Sequence, residues 1–235
     1  MAEQLRQIEQ NTELDRILKS VPFFVGLPTE VLQKSTTHFV TLDHPANQII
    51  LLENDWGGSV YFIIEGWVKI RTYNLDGKEV TLNIIGKGEI FGEMAALDKM
   101  PRSTDAITLT DTQIGRIPAQ DFVDLLKIEP LAGMHLAQLM AQRLRQVNRR
   151  LQLREASSTS RVADAILFLV EGQGKQGEQG TEIPNLPHRE ISSLSGLARE
   201  TVTRVLTKLE KKGLIKRDTN FLRIPDVLAL ENIIS

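Results

Sequence analysis

Between His44 and Ile117 the chain is built of short runs rich in β-branched and aromatic residues, each closed by a polar or glycine-bearing turn. The runs include Gln48–Leu52, Val60–Ile64, Trp67–Tyr73, Glu79–Ile85 and Thr112–Ile117. The turns are Asn54-Asp55-Trp56-Gly57-Gly58, Glu65-Gly66, Asn74-Leu75-Asp76-Gly77 and Gly86-Lys87-Gly88. Strands of about six residues with turn signals every ~8–12 positions predict a small antiparallel barrel or sandwich.

On either side the periodicity is helical. Residues 2–20 read as a helix that the Pro22–Pro28 stretch breaks, and a short helix is expected at Thr29–Lys34. Helical spacing returns at Ala119, and Pro130 suits the opening of a long helix that runs to about Arg154. Its apolar positions Leu136, Met140, Leu144, Val147 and Leu151 form a narrow coiled-coil seam, interrupted by Arg143, Arg145 and Asn148. The seam predicts a dimer; a surface helix lying on the β-domain is the alternative. Ala156–Ser160 reads as a hinge, Arg161–Val170 as an amphipathic helix, and Gly172–Gly180, with its four glycines, as a flexible surface loop.

Composition narrows the chemistry. Hydrophobic residues make up 41% and charged residues 25%, the balance of a soluble globular protein. No apolar run approaches the ~20 residues of a spanning helix, and four acidic side chains in the first twenty residues argue against a secretory signal. A cytoplasmic protein is expected. With no cysteine, disulfides, thiolate nucleophiles and Cys-held zinc or iron–sulfur clusters are impossible. The four histidines, His38, His44, His135 and His188, have no metal-pair spacing, so no metal is expected. The net charge of −2 hides a gradient: residues 1–128 hold 12 basic and 18 acidic residues, whereas 186–224 hold 9 basic and 4 acidic. Only the rear of the chain is suited to a polyanion.

That rear carries a recognisable pattern. His188–Ser195 has helical periodicity with Ile191 and Leu194 on one face, Gly196-Leu197-Ala198 forms a tight turn, and Arg199–Lys211 is a second helix. Val202, Val205, Leu206 and Leu209 face inward, while Arg199, Glu200, Thr203 and Arg204 project outward near its start. This is a helix-turn-helix, whose second helix enters the major groove of DNA. Arg presents two donors to guanine O6 and N7, and Glu accepts from cytosine N4. Lys208, Lys211 and Lys212 lie where phosphates would pass, and His188 and Arg189 are added as candidate contacts at the first helix's start. Leu214–Arg217 and Phe221–Ile224, joined by Asp218-Thr219-Asn220, form a hairpin wing.

A second constellation lies in the β-region. Gly92 lets a ligand approach the backbone, Glu93 can accept from sugar hydroxyls, and a short helix at Met94–Leu97 aims free N–H groups, those of Met94 and Ala95, at an anion. Arg102 supplies a fork that matches a phosphate, and Ser103 a hydroxyl donor.

Together these residues resemble the catabolite activator/FNR family of bacterial transcription regulators. The likeness runs from Val21 to Ile224 in the family's order, and its most specific pieces are FGEMAALDKMPRST at 91–104 and Arg199-Glu200-Thr201-Val202-Thr203-Arg204. It implies an α+β chain: a cyclic-nucleotide-binding β-roll (a double-stranded β-helix or jelly roll) over 1–129, a long dimerisation helix over 130–155 and a winged helix-turn-helix over 156–235. Gly92 and Glu93 would hold the ribose of a cyclic nucleotide, most simply cAMP, and Arg102 and Ser103 its phosphate. Arg143 could pair with Glu93 and so link ligand to dimer interface. Val147 and Asn148 stand where cAMP-responsive members place two hydroxyl residues on the adenine. Asn148 can donate and accept; Val147 can do neither, so the base contact departs from the family's pattern. Ala198 is a second departure, replacing a capping Ser. The implied partners are a palindromic DNA site with GTGA-like half-sites, RNA polymerase and a second copy of the chain. Two other readings stand beside this one. One is a regulator that binds no nucleotide and takes its input from a partner protein or another small ligand. The other is an enzyme built on Glu93, for which the sequence offers no nucleophile–base–orienter arrangement.

Overall fold

Eight strands in the first half of the chain form two four-stranded sheets in the computed structural model, which describes residue 14 and residues 16–234. They are β1 (Val40–His44), β2 (Ile49–Leu51), β3 (Ser59–Glu65), β4 (Trp67–Tyr73), β5 (Glu79–Gly86), β6 (Ile90–Phe91), β7 (Asp105–Thr108) and β8 (Thr112–Pro118). The sheet orders are β1-β8-β3-β6 and β2-β7-β4-β5. β8 pairs antiparallel with both β1 and β3, setting Leu42 and Ile63 opposite Ile114. β1, β6 and β7 were not expected from the sequence. β6 has two residues, and β1 and β7 carry Asp and Thr among so few apolar positions that alternation cannot show.

β3 is buried on both faces because successive side chains point to opposite sides of a strand. Ile63 joins Val68, Ile85, Phe91, Ala106 and Ile114 in one core cluster, drawn from both sheets. Val60 and Phe62 point the other way and, with Ile90 and Ile117, meet the helical elements. These elements are residues 16–20, a 3-10 turn at Pro22–Phe24, α1 (Thr29–Ser35), α3 (Ala119–Ile128) and the first turns of α4 (Pro130–Gln152); α2 (Glu93–Asp98) lies between β6 and β7. The stretch expected only to break a helix therefore supplies the core: the Phe24 ring lies 4.8 Å from that of Phe62, and Phe23 lies 5.4 Å from Phe122. The rest of the expected helix over residues 2–20 lies outside the described residues, apart from Leu14.

The long helix ends at Gln152, followed by a 3-10 turn at Leu153–Glu155. Its seam differs from the expected one. Leu136 is 7% exposed and belongs to the core of its own unit, and Met140 packs against it. Leu131, Met134, Leu144, Val147 and Leu151 are its large exposed apolar positions.

By compactness the chain divides into residues up to Ile70 with Ile85–Met140, and Arg71–Ile84 with the chain from Ala141 onward. In the second unit α5 (Ser158–Gln173) starts earlier than expected. Ser157 Oγ accepts from the Ser160 N–H at 3.1 Å, an N-cap of the kind that stabilises a helix by ~1 kcal/mol. The expected hinge shrinks to Ala156 and Ser157. Every residue from Val162 to Leu169 is buried, so α5 is not one-sided. It packs against α6 (His188–Ser195), α7 (Arg199–Lys211), α8 (Val227–Glu231) and β10 (Gly180–Pro184).

The expected glycine loop is a hairpin: β9 (Lys175–Gly177) pairs with β10, setting Lys175 opposite Glu182. It completes a sheet of order β11-β12-β10-β9, with β11 (Lys216–Arg217) and β12 (Phe221–Ile224) as the wing. The glycines hid the strands because they remove the side chains on which β-pattern depends. Among the described residues no helix is long and apolar enough to cross a membrane.

Candidate functional site

Arg102 organises the first candidate site. Its side chain is drawn inward: Nη1 donates to the Gly92 carbonyl at 2.5 Å and Nη2 to the Ser59 carbonyl at 2.7 Å. The residue is 4% exposed, and its guanidinium lies 5.8 Å from the Tyr61 ring centroid. Two glycines make room for it. A Cβ at Gly57 would lie 2.0 Å from Arg102 Nε, and one at Gly92 would lie 2.7 Å from Nη1. Gly92 also holds φ +78 at the start of α2, a conformation that favours glycine. Two backbone bonds, Asn54 N–H to the Arg102 carbonyl and Arg102 N–H to the Asp55 carbonyl, bind the 54–58 turn to the same residue.

Burial lowers the pKa of Arg102, and the charges of Tyr61 and Glu93 oppose that shift. Its Nε–H is a buried donor with no hydrogen-bond partner. A desolvated cation with a donor in reserve suits an anion, for which charge-assisted bonds are the strong ones. Glu93 is buried at 2% exposure and Ala95 at 8%, while Met94 is exposed with its sulfur 3.9 Å from Ser103 Oγ. In the other unit Arg143 is half-buried, and Val147 and Asn148 are exposed on α4. The sequence reading missed Gly57 and Ser59. The Trp56-Gly57-Gly58 turn held the signal, since paired glycines in a short loop mark close approach as well as turning.

The second candidate site is the exposed face of α7. Val202, Val205, Leu206 and Leu209 are buried, and Arg199, Glu200, Thr203, Arg204 and Lys208 are exposed. Ala198, at the N-cap, makes no side-chain capping bond. The turn is locked from α5: Arg161 donates to the Ser195 carbonyl from Nε at 3.0 Å and from Nη2 at 2.7 Å, and to the Gly196 carbonyl at 3.1 Å. Nothing in the sequence pattern marked Arg161 for this role.

The expected DNA contacts His188 and Arg189 have protein partners. Arg189 Nε pairs with buried Glu190 at 2.8 Å, with the Arg189 side chain largely exposed. His188 Nδ1 lies 2.8 Å from Thr203 Oγ1, which itself donates to the Arg199 carbonyl at 3.0 Å. The hydroxyl proton being used there, Nδ1 carries the proton of the first bond, and Nε2 faces Arg217 Nη1 at 3.4 Å as an acceptor. The arrangement requires a neutral imidazole. Burial, then the charges of Arg217 and Arg199, hold the His188 pKa below its ordinary value. Arg217 is anchored in turn by Glu210, with Nη2 at 2.5 Å and Nε at 3.0 Å from Oε2, and this lowers the pKa of Glu210. Wing, first helix and recognition helix thus share one polar chain.

Two family models match the chain. Residues 41–129 match the Cyclic nucleotide-binding domain family, and residues 160–233 match the Crp-like helix-turn-helix domain family. The chain is 32% identical to the Cyclic AMP receptor protein of Thermus thermophilus, across 92% of this chain and 98% of that protein. Among solved structures, FixK2 from Bradyrhizobium japonicum aligns with a TM-score of 0.72 at 19% identity, covering 84% of this chain and 98% of the other. The c-di-GMP responsive global regulator CLP of Xanthomonas campestris aligns with a TM-score of 0.64 at 22% identity, covering 85% and 100%. At those identities the two structures speak for the fold alone.

Proposed function

The chain belongs to the Crp-like family of transcription regulators, with a cyclic nucleotide-binding domain ahead of a DNA-binding helix-turn-helix, and from that premise we propose a homodimer whose DNA affinity is set by cAMP. Residues 1–129 sense the nucleotide, 130–155 join the two copies and 156–235 read DNA in the cytoplasm, where RNA polymerase is the downstream partner. Its relatives act as regulators rather than enzymes, so binding, not turnover, is its output. The observation that carries the nucleotide half is Arg102: a buried guanidinium held by two carbonyls with Nε unpartnered, beside buried Glu93. Arg102 and Ser103 take the phosphate together with the Met94 and Ala95 N–H groups. Gly92 and Glu93 take the ribose, Arg143 stands at the position that the resemblance pairs with Glu93, and Val147 and Asn148 stand at the positions it gives to the base. On DNA, Arg199, Glu200 and Arg204 read base edges, Lys208 meets phosphate, and His188, Arg189 and Thr203 border the groove.

Calorimetric titration of the wild type and of Arg102→Lys with cAMP and cGMP tests this. Lysine keeps the charge but loses the fork, so cAMP affinity should fall at least tenfold in the variant. A second reading, in which another small ligand or a partner protein supplies the input, is favoured by Val147, which offers a base no hydrogen bond. It replaces the first if neither nucleotide binds the wild type.

A further inference from the structure

Two consecutive arginines near the end of α4 leave its exposed apolar face and grip α5. Arg149 Nε lies 2.6 Å from Asp164 Oδ1, and its Nη1 lies 2.5 Å from Glu171 Oε1. Arg150 lies 4.1 Å from the centroid of the Phe168 ring and donates to the Leu82 carbonyl on β5 at 2.5 Å. Asp164, Phe168 and Glu171 stand at i, i+4 and i+7, one stripe of the helix. The Asp164 side chain is only 6% exposed, and burial raises its pKa in spite of both arginines. An ion pair this desolvated is poor evidence for stability, since apolar replacements often do as well. What it fixes is geometry. Arg150 is half-buried, and burial lowers its pKa; a planar guanidinium stacked on a ring while bonded to a carbonyl tolerates one setting.

The elements it touches give that setting a consequence. β5 continues along the chain through β6 to Gly92 and Glu93, while α5 carries Arg161, which holds the helix-turn-helix turn through the Ser195 and Gly196 carbonyls. We propose that Arg149 and Arg150 are positioning residues forming a latch, which holds α5 and its helix-turn-helix in one orientation to α4 and transmits displacement of the β4–β5 hairpin to the DNA-reading helix. The transmitting role rests on the cyclic-nucleotide reading above; the holding role does not.

The chain has no cysteine, so spin labels at Leu75→Cys, on the exposed hairpin turn, and Thr219→Cys, on the wing turn, attach nowhere else. Electron–electron distance measurement on spin-diluted protein should give one narrow distribution. Arg150→Gln should broaden or split it, and Phe168→Leu, which keeps the site apolar, should do the same. An unchanged distribution in both variants overturns the latch, whatever the ligand. In DNA titrations, cAMP should tighten wild-type binding at least fivefold but Arg150→Gln less than twofold, although the variant still binds cAMP by calorimetry. If Arg150→Gln keeps the full response, transmission through Arg150 is wrong. If the wild type itself fails to respond, the cyclic-nucleotide reading and the transmitting role fall together, and the label distances still decide the holding role.

Discussion

Arg199 and Arg204 owe their exposure to the four apolar residues behind them. Val202, Val205, Leu206 and Leu209 fix one face of α7 in the core, so the opposite face carries its guanidiniums into solvent. Arg199→Ala or Arg204→Ala should weaken specific binding by ~1–3 kcal/mol and relax discrimination at one position of the half-site. Equal weakening on every sequence, measured by competition against mismatched sites, would make them phosphate contacts instead. His188 gives a pH dependence with a definite sign. Its folded pKa is lowered, so the unfolded chain takes up the proton first as pH falls below about 6.5. Stability contributed by the neutral imidazole is complete above that pH and is lost as pH falls toward the folded value. Thermal melts of the wild type should therefore lose stability from about pH 6.5 downward, and His188→Gln should flatten that part of the curve. An identical pH profile in the variant would remove His188 from the polar chain.

At the scale of elements, α4 divides its labour along its length. Leu136 belongs to the core of its own unit, whereas Leu144 and Leu151 are more than 60% exposed. Leu136→Ala should cost ~2–5 kcal/mol of stability, as core truncations do, with no change of oligomeric state. Leu144→Asp combined with Leu151→Asp should turn a sedimenting dimer into a monomer at micromolar concentration, leaving the fold intact by circular dichroism. A dimer that survives both charges places its interface elsewhere. This division was not legible in the sequence, because 3.6-residue periodicity marks an apolar face without saying whether its neighbour is the same chain or another copy. β4, at Trp67–Tyr73, and the wing strand at Phe221–Ile224 were read to the residue, since glycine or polar turns bound them. β9 and β10 were not, because glycine at both strand edges imitates a loop. For the candidate site the residue types at 92–103 were readable, but Gly57 comes from the distant 54–58 turn and Ser59 from the start of β3, and only the fold brings them to Arg102.

At the scale of the molecule, the candidate nucleotide residues Gly92 to Ser103 and the candidate DNA-reading residues Arg199 to Lys208 belong to different compact units. A ligand can influence DNA binding only by binding one conformation of the protein better than another. The coupling free energy of such switches is typically ~1–3 kcal/mol, or roughly 5–150-fold in affinity, and it is reciprocal. Saturating cAMP should tighten binding to a palindromic site, and the site DNA should tighten cAMP binding by the same factor. The two factors come from separate titrations, so their equality is a test in itself. Arg102→Lys should remove both effects at nucleotide concentrations that saturate the wild type, while DNA affinity without nucleotide stays as it was. If cAMP binds and DNA affinity does not move, the two units are uncoupled for this nucleotide and the effector is a different molecule. If the protein already holds its site at full affinity without nucleotide, the equilibrium lies on the binding-competent side from the start. An input that favours the other arrangement, from a partner protein or another small ligand, then becomes the switch.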